Sequence, residues 1–195
     1  MMDEIAAYAR TKSGRAGMLG DGLNAELDMS SAFRDAFRLH PEGVAIISTD
    51  FHGQPIALTI SSLISLSTRP PTVTFSRSAK SSSSAAIRQA QTVVIHLLRL
   101  EDMALAQLCA SSEADRFDPG VNWTRLSTGE PLYSDVGVWF RARIVNELAV
   151  AGATLVVAEW LDGHADKNDA PPEETSLVYL NRRWYGVRSA VPQAS

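Results

Sequence analysis

Lys80 is followed by four serines, Ser81, Ser82, Ser83 and Ser84, and then by the helix formers Ala85, Ala86, Ile87, Arg88 and Gln89. The first turn of a helix leaves amide N–H groups without an internal partner, and the helix dipole favours negative charge there. Serine hydroxyls add donors, Lys80 adds a full positive charge, and Arg77, beside Ser76 just upstream, supplies a second. Such a set can grip an anion, and a phosphate group above all. The same letters could also spell a flexible linker with an ordinary N-cap. Linkers carry glycine, however, and this cluster runs straight into helix formers.

A second group is Thr59-Ile60-Ser61-Ser62, close to another serine-rich stretch from Ser65 to Thr68. Its small polar side chains fall on one face of an alternating strand. A solvated strand face explains them as well as a site does. A flat polar heteroaromatic needs what they offer, namely short hydroxyls and accessible backbone without bulk over its plane. Neither group suffices alone. A helix terminus contributes about 0.3–1 kcal/mol and a charge-assisted hydrogen bond roughly 1.5–3, whereas micromolar binding needs about 8. A phosphate cradle must therefore cooperate with a pocket for the rest of its ligand.

Other chemistries find little support. The chain has no G-x-G-x-x-G after a strand, no Walker-type loop, no G-x-S-x-G elbow, no H-E-x-x-H and no paired cysteines. His40, His52, His96 and His164 are scattered without ligand spacing. His96, in an apolar strand, reads as a hydrogen-bonded core residue, and Cys109 reads as a small buried hydrophobe. The net charge of −4, with no basic cluster, removes the electrostatic footprint of a nucleic-acid binder. No run approaches the ~18 apolar residues of a membrane span, and the acidic start, Asp3 and Glu4, is unlike a secretory signal. The cytoplasm is the expected location, with neither membrane nor nucleic acid as partner.

The elements that must position these groups are mostly strands. With 45% hydrophobic and 21% charged residues, the 195-residue chain has the composition of a packed globular protein. Residues 1–29 lack a sustained period and read as a poorly ordered extension, with the ordered domain over 30–190. Ser30 or Ser31 caps a short helix expected to turn Phe33, Phe37 and Leu39 inward. Val44 to Thr49 is a β-branched run ending at Asp50-Phe51-His52-Gly53, a hairpin loop. Pro55 to Ser62 alternates. Ile64 and Leu66 keep the apolar parity, which leaves Ser62 as the break in the pattern. Further strands are expected near Val73–Phe75, Thr92–Leu98, Val136–Ile144 and Thr154–Leu161, with a closing hairpin around Asn181-Arg182 and a helix over Leu100–Ala110. About eight strands with two or three short helices favour a mainly β fold, a β-barrel with short helices, over a doubly wound sheet.

Together these segments resemble the flavin reductase-like family of FMN-binding split barrels. The matching order is Pro41-Glu42-Gly43-Val44 and its strand, then the run from Ile56 to Ser67, Pro70-Pro71, the serine cluster, Val94 to Leu98, Asp115-Arg116-Phe117, and Tyr179 with Tyr185. The resemblance implies a six-stranded split β-barrel that forms a homodimer with FMN, or FAD, near the subunit interface. Thr59, Ile60, Ser61 and Ser62 would line the flavin ring. Ser76, Arg77, Lys80, Ser81, Ser82 and Ser83 would meet its phosphate, and Phe117 would join the cofactor site. NADH or NADPH would deliver hydride to flavin N5, with reduced flavin passing to a monooxygenase partner. Two positions depart from the pattern. Ala151-Gly152-Ala153 stands where many members carry Gly-Asp-His, whose histidine is associated with the nicotinamide. Glu42 replaces a small polar residue, and its carboxylate would either repel phosphate or face solvent. The implied activity is NAD(P)H-dependent flavin reduction, and the missing histidine supports the alternative of a non-enzymatic flavin carrier or sensor.

Overall fold

A computed structural model describes residues 22–78, 82–165 and 176–187, with the backbone alone for residues 22–28 and 82–85. The described residues divide into two units, one up to Leu39 and one from His40 onward. Helix α1 (Gly22–Arg38) belongs to the first, and it starts at Gly22 rather than at the expected Ser30. Phe33 and Phe37, expected to point inward, are 62% and 53% exposed and pack on each other instead, ring centroids 4.4 Å apart. Residues four apart share one helix face, so an aromatic pair at this spacing meets without help from a core.

In the second unit, β-branched residues select extended chain because their χ1 stiffness crowds a helix and suits a pleated surface. The strands in order are β1 (Glu42–Gly43), β2 (Ala45–Phe51), β3 (Gln54–Ile60), β4 (Ile64–Thr68), β5 (Pro71–Ser78), β6 (Thr92–Leu97), β7 (Trp123–Arg125), β8 (Pro131–Tyr133), β9 (Val138–Val150), β10 (Ala153–Ala165), β11 (Leu177–Leu180) and β12 (Arg183–Gly186). Helix α2 (Ser82–Gln89) joins β5 to β6, and α3 (Met103–Ala110) follows β6 after one 3₁₀ turn. The hairpin between β2 and β3 turns on His52 and Gly53, both at positive φ, with the Asp50 carboxylate accepting the Gly53 amide at 2.7 Å.

Seven strands form one antiparallel sheet in the order β3-β2-β6-β9-β10-β5-β4. Its ladder is open between β3 and β4, and the gap is crossed by Ser62. The Ser62 hydroxyl accepts the Ser76 amide at 2.9 Å and donates to the Ser76 carbonyl at 3.2 Å. The residue that broke the alternation is thus the stitch of a split barrel. The sheet has seven strands rather than six because β4 pairs onto β5 as an edge.

One apolar core fills the barrel, with Ala45, Ile47, Ile60, Phe75, Val93, Ile95 and Val156 at its centre. A second lies on the other side of β2 and β3, where Val44, Ile46 and Ala57 meet Ala106 and Cys109 of α3, Tyr133 and Leu177. β2 is buried on both faces from Ala45 to Thr49, which is why it opens on the unbroken apolar run Ala45-Ile46-Ile47 rather than an alternating one. Edge strand β4 goes the other way. Ile64 and Leu66 are 60% and 55% exposed, while Ser65 and Ser67 turn toward a hollow with Phe140 and Trp160.

Candidate active site

Beyond Ala57, β3 carries its odd-numbered residues away from the barrel core. Thr59 Oγ1 donates to the Ala106 carbonyl of α3 at 2.7 Å, and Ser61 Oγ donates to Glu42 Oε2. The expected options for Glu42 were phosphate repulsion or solvent; the structure shows it half-buried and holding the Ser61 proton. β1 pairs with β11 so that Glu42 stands opposite Tyr179, and Tyr179 in turn stands opposite Trp184 of β12. The hairpin that sets this register turns on Asn181 and Arg182, both at positive φ. Tyr179 and Trp184 pack edge to face, ring centroids 4.9 Å apart.

Val44, Thr59, Ile60, Ser61, Ala110, Tyr179 and Trp184 together enclose a hollow of about 220 Å³. Thr59 and Ser61 have both committed their protons inside the protein, so toward the hollow they present lone pairs. Donors are close by in the backbone. Among the described residues, the amides of Ser62 and Leu63 meet no acceptor within hydrogen-bond distance. Aromatic walls, hydroxyl acceptors and free amides on one rim suit a planar ring with both donor and acceptor edges. Sequence spacing suggested the hydroxyls, the resemblance included Glu42 and Tyr179 without a place beside the ring, and Ala110 and Trp184 were missed. Only the recurrence of aromatic residues near the C-terminus hinted at Trp184.

The Ser62–Ser76 hydrogen bonds bring the second candidate group to this rim. Ser76 is exposed beside it, and β5 ends at Ser78, shortly before α2 opens at Ser82. Lys80 and Ser81 lie outside the described residues, and of Ser82 and Ser83 the structure describes only the backbone, in the first turn of α2. Arg77 differs from expectation. Alternation along β5 turns it inward, where it is 2% exposed and its Nη2 lies 3.1 Å from Glu147 Oε2. A buried guanidinium needs a paired counter-charge, and Glu147 supplies it. Phe117 is also placed elsewhere. It stacks on Tyr133, rings 10° apart, and lines a separate hollow of about 280 Å³ with Pro55, Ile56 and Arg116. Arg116 ties that loop down through the carbonyls of Ser111 and Ala57.

Residues 37–188 match the flavin reductase like domain. The chain belongs to that family. It is 34% identical over 153 residues to an NADH:FMN oxidoreductase of Rhodococcus qingshengii, covering 78% of this chain and 79% of that protein. It is 29% identical over 134 residues to the reductase component of a 4-nitrophenol 4-monooxygenase/4-nitrocatechol 2-monooxygenase of Rhodococcus opacus, covering 68% of this chain and 71% of the other. A flavin reductase domain protein from Arthrobacter sp. FB24 shares the fold with a TM-score of 0.76 at 29% identity, over 85% of this chain and 99% of that one.

Ala153, the position at which the resemblance leads one to expect a nicotinamide-associated histidine, starts β10 at the tip of the β9–β10 hairpin. Ala153 pairs with Val150 and, on the other side, with Ser78 of β5. That tip therefore borders the strand end that leads to the serine cluster. His96 and Cys109 are core residues, as their surroundings in the sequence indicated. His96 Nε2 accepts the Tyr133 amide at 3.2 Å and its Nδ1 faces the Ile46 carbonyl at 3.3 Å. Burial pushes the His96 pKa down to about 4 and pushes the Cys109 thiol up. Among the described residues, no group of His, Cys, Asp or Glu is placed to hold a metal ion, and no helix is long and apolar enough to cross a membrane.

Proposed function

We propose that this flavin reductase family member uses NADH to reduce FMN and passes reduced flavin to a monooxygenase, acting in the cytoplasm as a homodimer. The observation that carries the reading is the rim where Thr59 to Leu63 meets Ser76 through the Ser62 stitch. The residues present fit the flavin. The hollow takes a flat ring, the amides of Ser62 and Leu63 can donate to ring oxygen or nitrogen, and Thr59 and Ser61 can accept from a ring N–H. Ser76 and the first turn of α2, with Ser82 and Ser83, follow along the chain, and a helix N-terminus favours a phosphate dianion; Lys80 and Ser81, outside the described residues, would add a charge and a hydroxyl. Arg77 then serves the barrel wall instead.

The flavin supplies the redox chemistry: it takes up two electrons and a proton as hydride from the nicotinamide. The chain's share is to hold the ring flat against Tyr179 and Trp184, offer fixed donors to its polar edge, and keep one face open to the reductant. The kinship with an NADH:FMN oxidoreductase over most of both chains supports the reductant and the flavin, and the kinship with a monooxygenase reductase component supports the partner.

A second copy has a natural seat. On the outer sheet face Leu148 stands opposite Leu155, and Leu155 opposite Ser76, and both leucines and Val150 are exposed. A partner covering this strip would flank the phosphate end of the site. The decisive assay follows NADH absorbance with and without added FMN. FMN-stimulated oxidation is expected. A protein that binds FMN yet oxidises neither NADH nor NADPH would instead be a carrier or sensor, the reading favoured by alanine at position 153.

A further inference from the structure

We propose that Glu42 is a charge-selecting positioning residue that makes the site hold oxidised flavin more tightly than reduced flavin, so that the product of the reaction is the species released. The inference rests on the reading above, in which the flavin ring occupies the hollow beside Ser61.

Hydride transfer takes two electrons and one proton from the nicotinamide C4 to flavin N5. The nicotinamide gains a positive charge and the previously neutral flavin ring becomes an anion. A site adapted to keep that product would place a positive charge or an unspent proton donor beside it. The amides of Ser62 and Leu63 offer such donors, but at Ser61 the reverse is built. Glu42 comes from β1, on the opposite side of Ser61 from the barrel core, and its Oε2 takes the Ser61 hydroxyl proton. Ser61 lines the hollow, and with its proton turned toward Glu42 it can show the ring only lone pairs. The hydroxyl therefore accepts from a ring N–H but cannot donate to a negative ring oxygen. Behind it stands a carboxylate that is half-buried, where its field is screened less than in bulk water. Both effects leave the neutral ring nearly untouched and penalise the anion.

Arg77 is paired with Glu147, and Arg116 is bound to the carbonyls of Ser111 and Ala57. Glu42 is held in place by the β1–β11 register opposite Tyr179, itself a wall of the hollow. Charge, hydroxyl and ring wall are thus one unit.

The test measures dissociation constants for FMN and, anaerobically, for reduced FMN, together with the midpoint potential of the bound flavin. Glu42→Gln keeps a hydrogen-bonding partner for Ser61 and removes the charge. It should tighten reduced FMN relative to oxidised FMN about tenfold, the size expected for two charges about 12 Å apart at an effective dielectric near 20. The bound potential should rise by about 30 mV, which is that tenfold for two electrons. Glu42→Ser should shift the ratio in the same direction and serves if Glu42→Gln does not fold. Ser61→Ala, which keeps the carboxylate but removes the acceptor for a ring N–H present in both redox states, should weaken oxidised and reduced FMN together and move the potential less than Glu42→Gln does. A ratio and potential unchanged in both Glu42 variants, with FMN still bound, would overturn this inference alone. Failure of the unaltered protein to bind FMN would overturn the site assignment itself.

Discussion

At the scale of single residues, the groups that look reactive divide by how their polar atoms are spent. Thr59, Ser61 and Ser62 each commit a proton to a named acceptor and keep lone pairs or neighbouring amides for a ligand. His96 keeps nothing. With Tyr133 N–H donating to Nε2, the ring must carry its proton on Nδ1, facing Ile46, and it is locked neutral between β2, β6 and β8. Burial opposes its protonation, and the Ile46 carbonyl offsets this only in part, leaving its pKa near 4 against an ordinary 6.5. The unfolded chain binds a proton here below about 6.5, whereas the folded chain resists until about 4. Stability is therefore whole above the upper value and is lost as pH falls through that window. The loss should approach about 3 kcal/mol at 1.36 kcal/mol per pH unit. Urea titrations from pH 7 to pH 4 should show it, and His96→Gln, though less stable at neutral pH, should lose this part of the pH dependence. An identical slope in both proteins would remove His96 from the account. Glu130 belongs to the same class of spent groups. Burial works against its charge, but hydrogen bonds from Thr128, Thr92 and Arg141 hold its carboxyl below the usual range.

Among the elements, the long β9–β10 hairpin shows where pattern reading succeeds and where it stops. Phe140, Ala142, Val156 and Ala158 face the core as alternation requires. The ladder between the two strands shifts register between Trp160 and Asp162, an irregularity that no run of letters announces. Gly163 follows that shift, opposite Phe140. A Cβ there would come within 2.6 Å of the Trp139 carbonyl oxygen and 2.8 Å of Phe140 Cα, both backbone atoms that cannot swing away. Gly163→Ala should thus cost about 1–3 kcal/mol, as overpacking does, and appear as a lower urea midpoint. An unchanged midpoint would mean that the strands can part at this place without cost. Strand β4 supplies the opposite lesson. Its apolar parity was plain, yet Ile64 and Leu66 face outward because an edge strand can present its apolar side to something other than its own core. Helix α1 behaves similarly with Phe33 and Phe37.

At the scale of the whole molecule, the exposed strip of Leu148, Val150 and Leu155 next to Ser76 bears on assembly. Contiguous apolar surface on a sheet face marks an interaction site, and obligate homodimers bury such faces. Leu148→Glu together with Leu155→Glu should convert a dimer into a monomer in sedimentation velocity. The same variant should weaken FMN binding, because the partner would no longer flank the phosphate end. A protein that stays dimeric would place the interface elsewhere, and a native protein that is already monomeric would end the proposal.

Local information determined much of this protein. β-branched runs, the turn residues at His52-Gly53 and Asn181-Arg182, and the order of motifs from Glu42 to Tyr185 were enough for a mainly β split barrel and its family. The same information marked Thr59 to Ser62 and the serine cluster as a site. Tertiary structure alone decided which of those polar atoms are still available. Alternation along β5 says that Ser76 and Arg77 face opposite ways, but not which face is the inside, and burial with Glu147 settles that for Arg77. Strand β1 and the β11–β12 hairpin form a small sheet of their own, so Glu42, Tyr179 and Trp184 become neighbours of Ser61 only when that sheet comes against the end of β3. Hydrogen bonding is a property of proximity, and proximity across such separations is set by packing rather than by spacing.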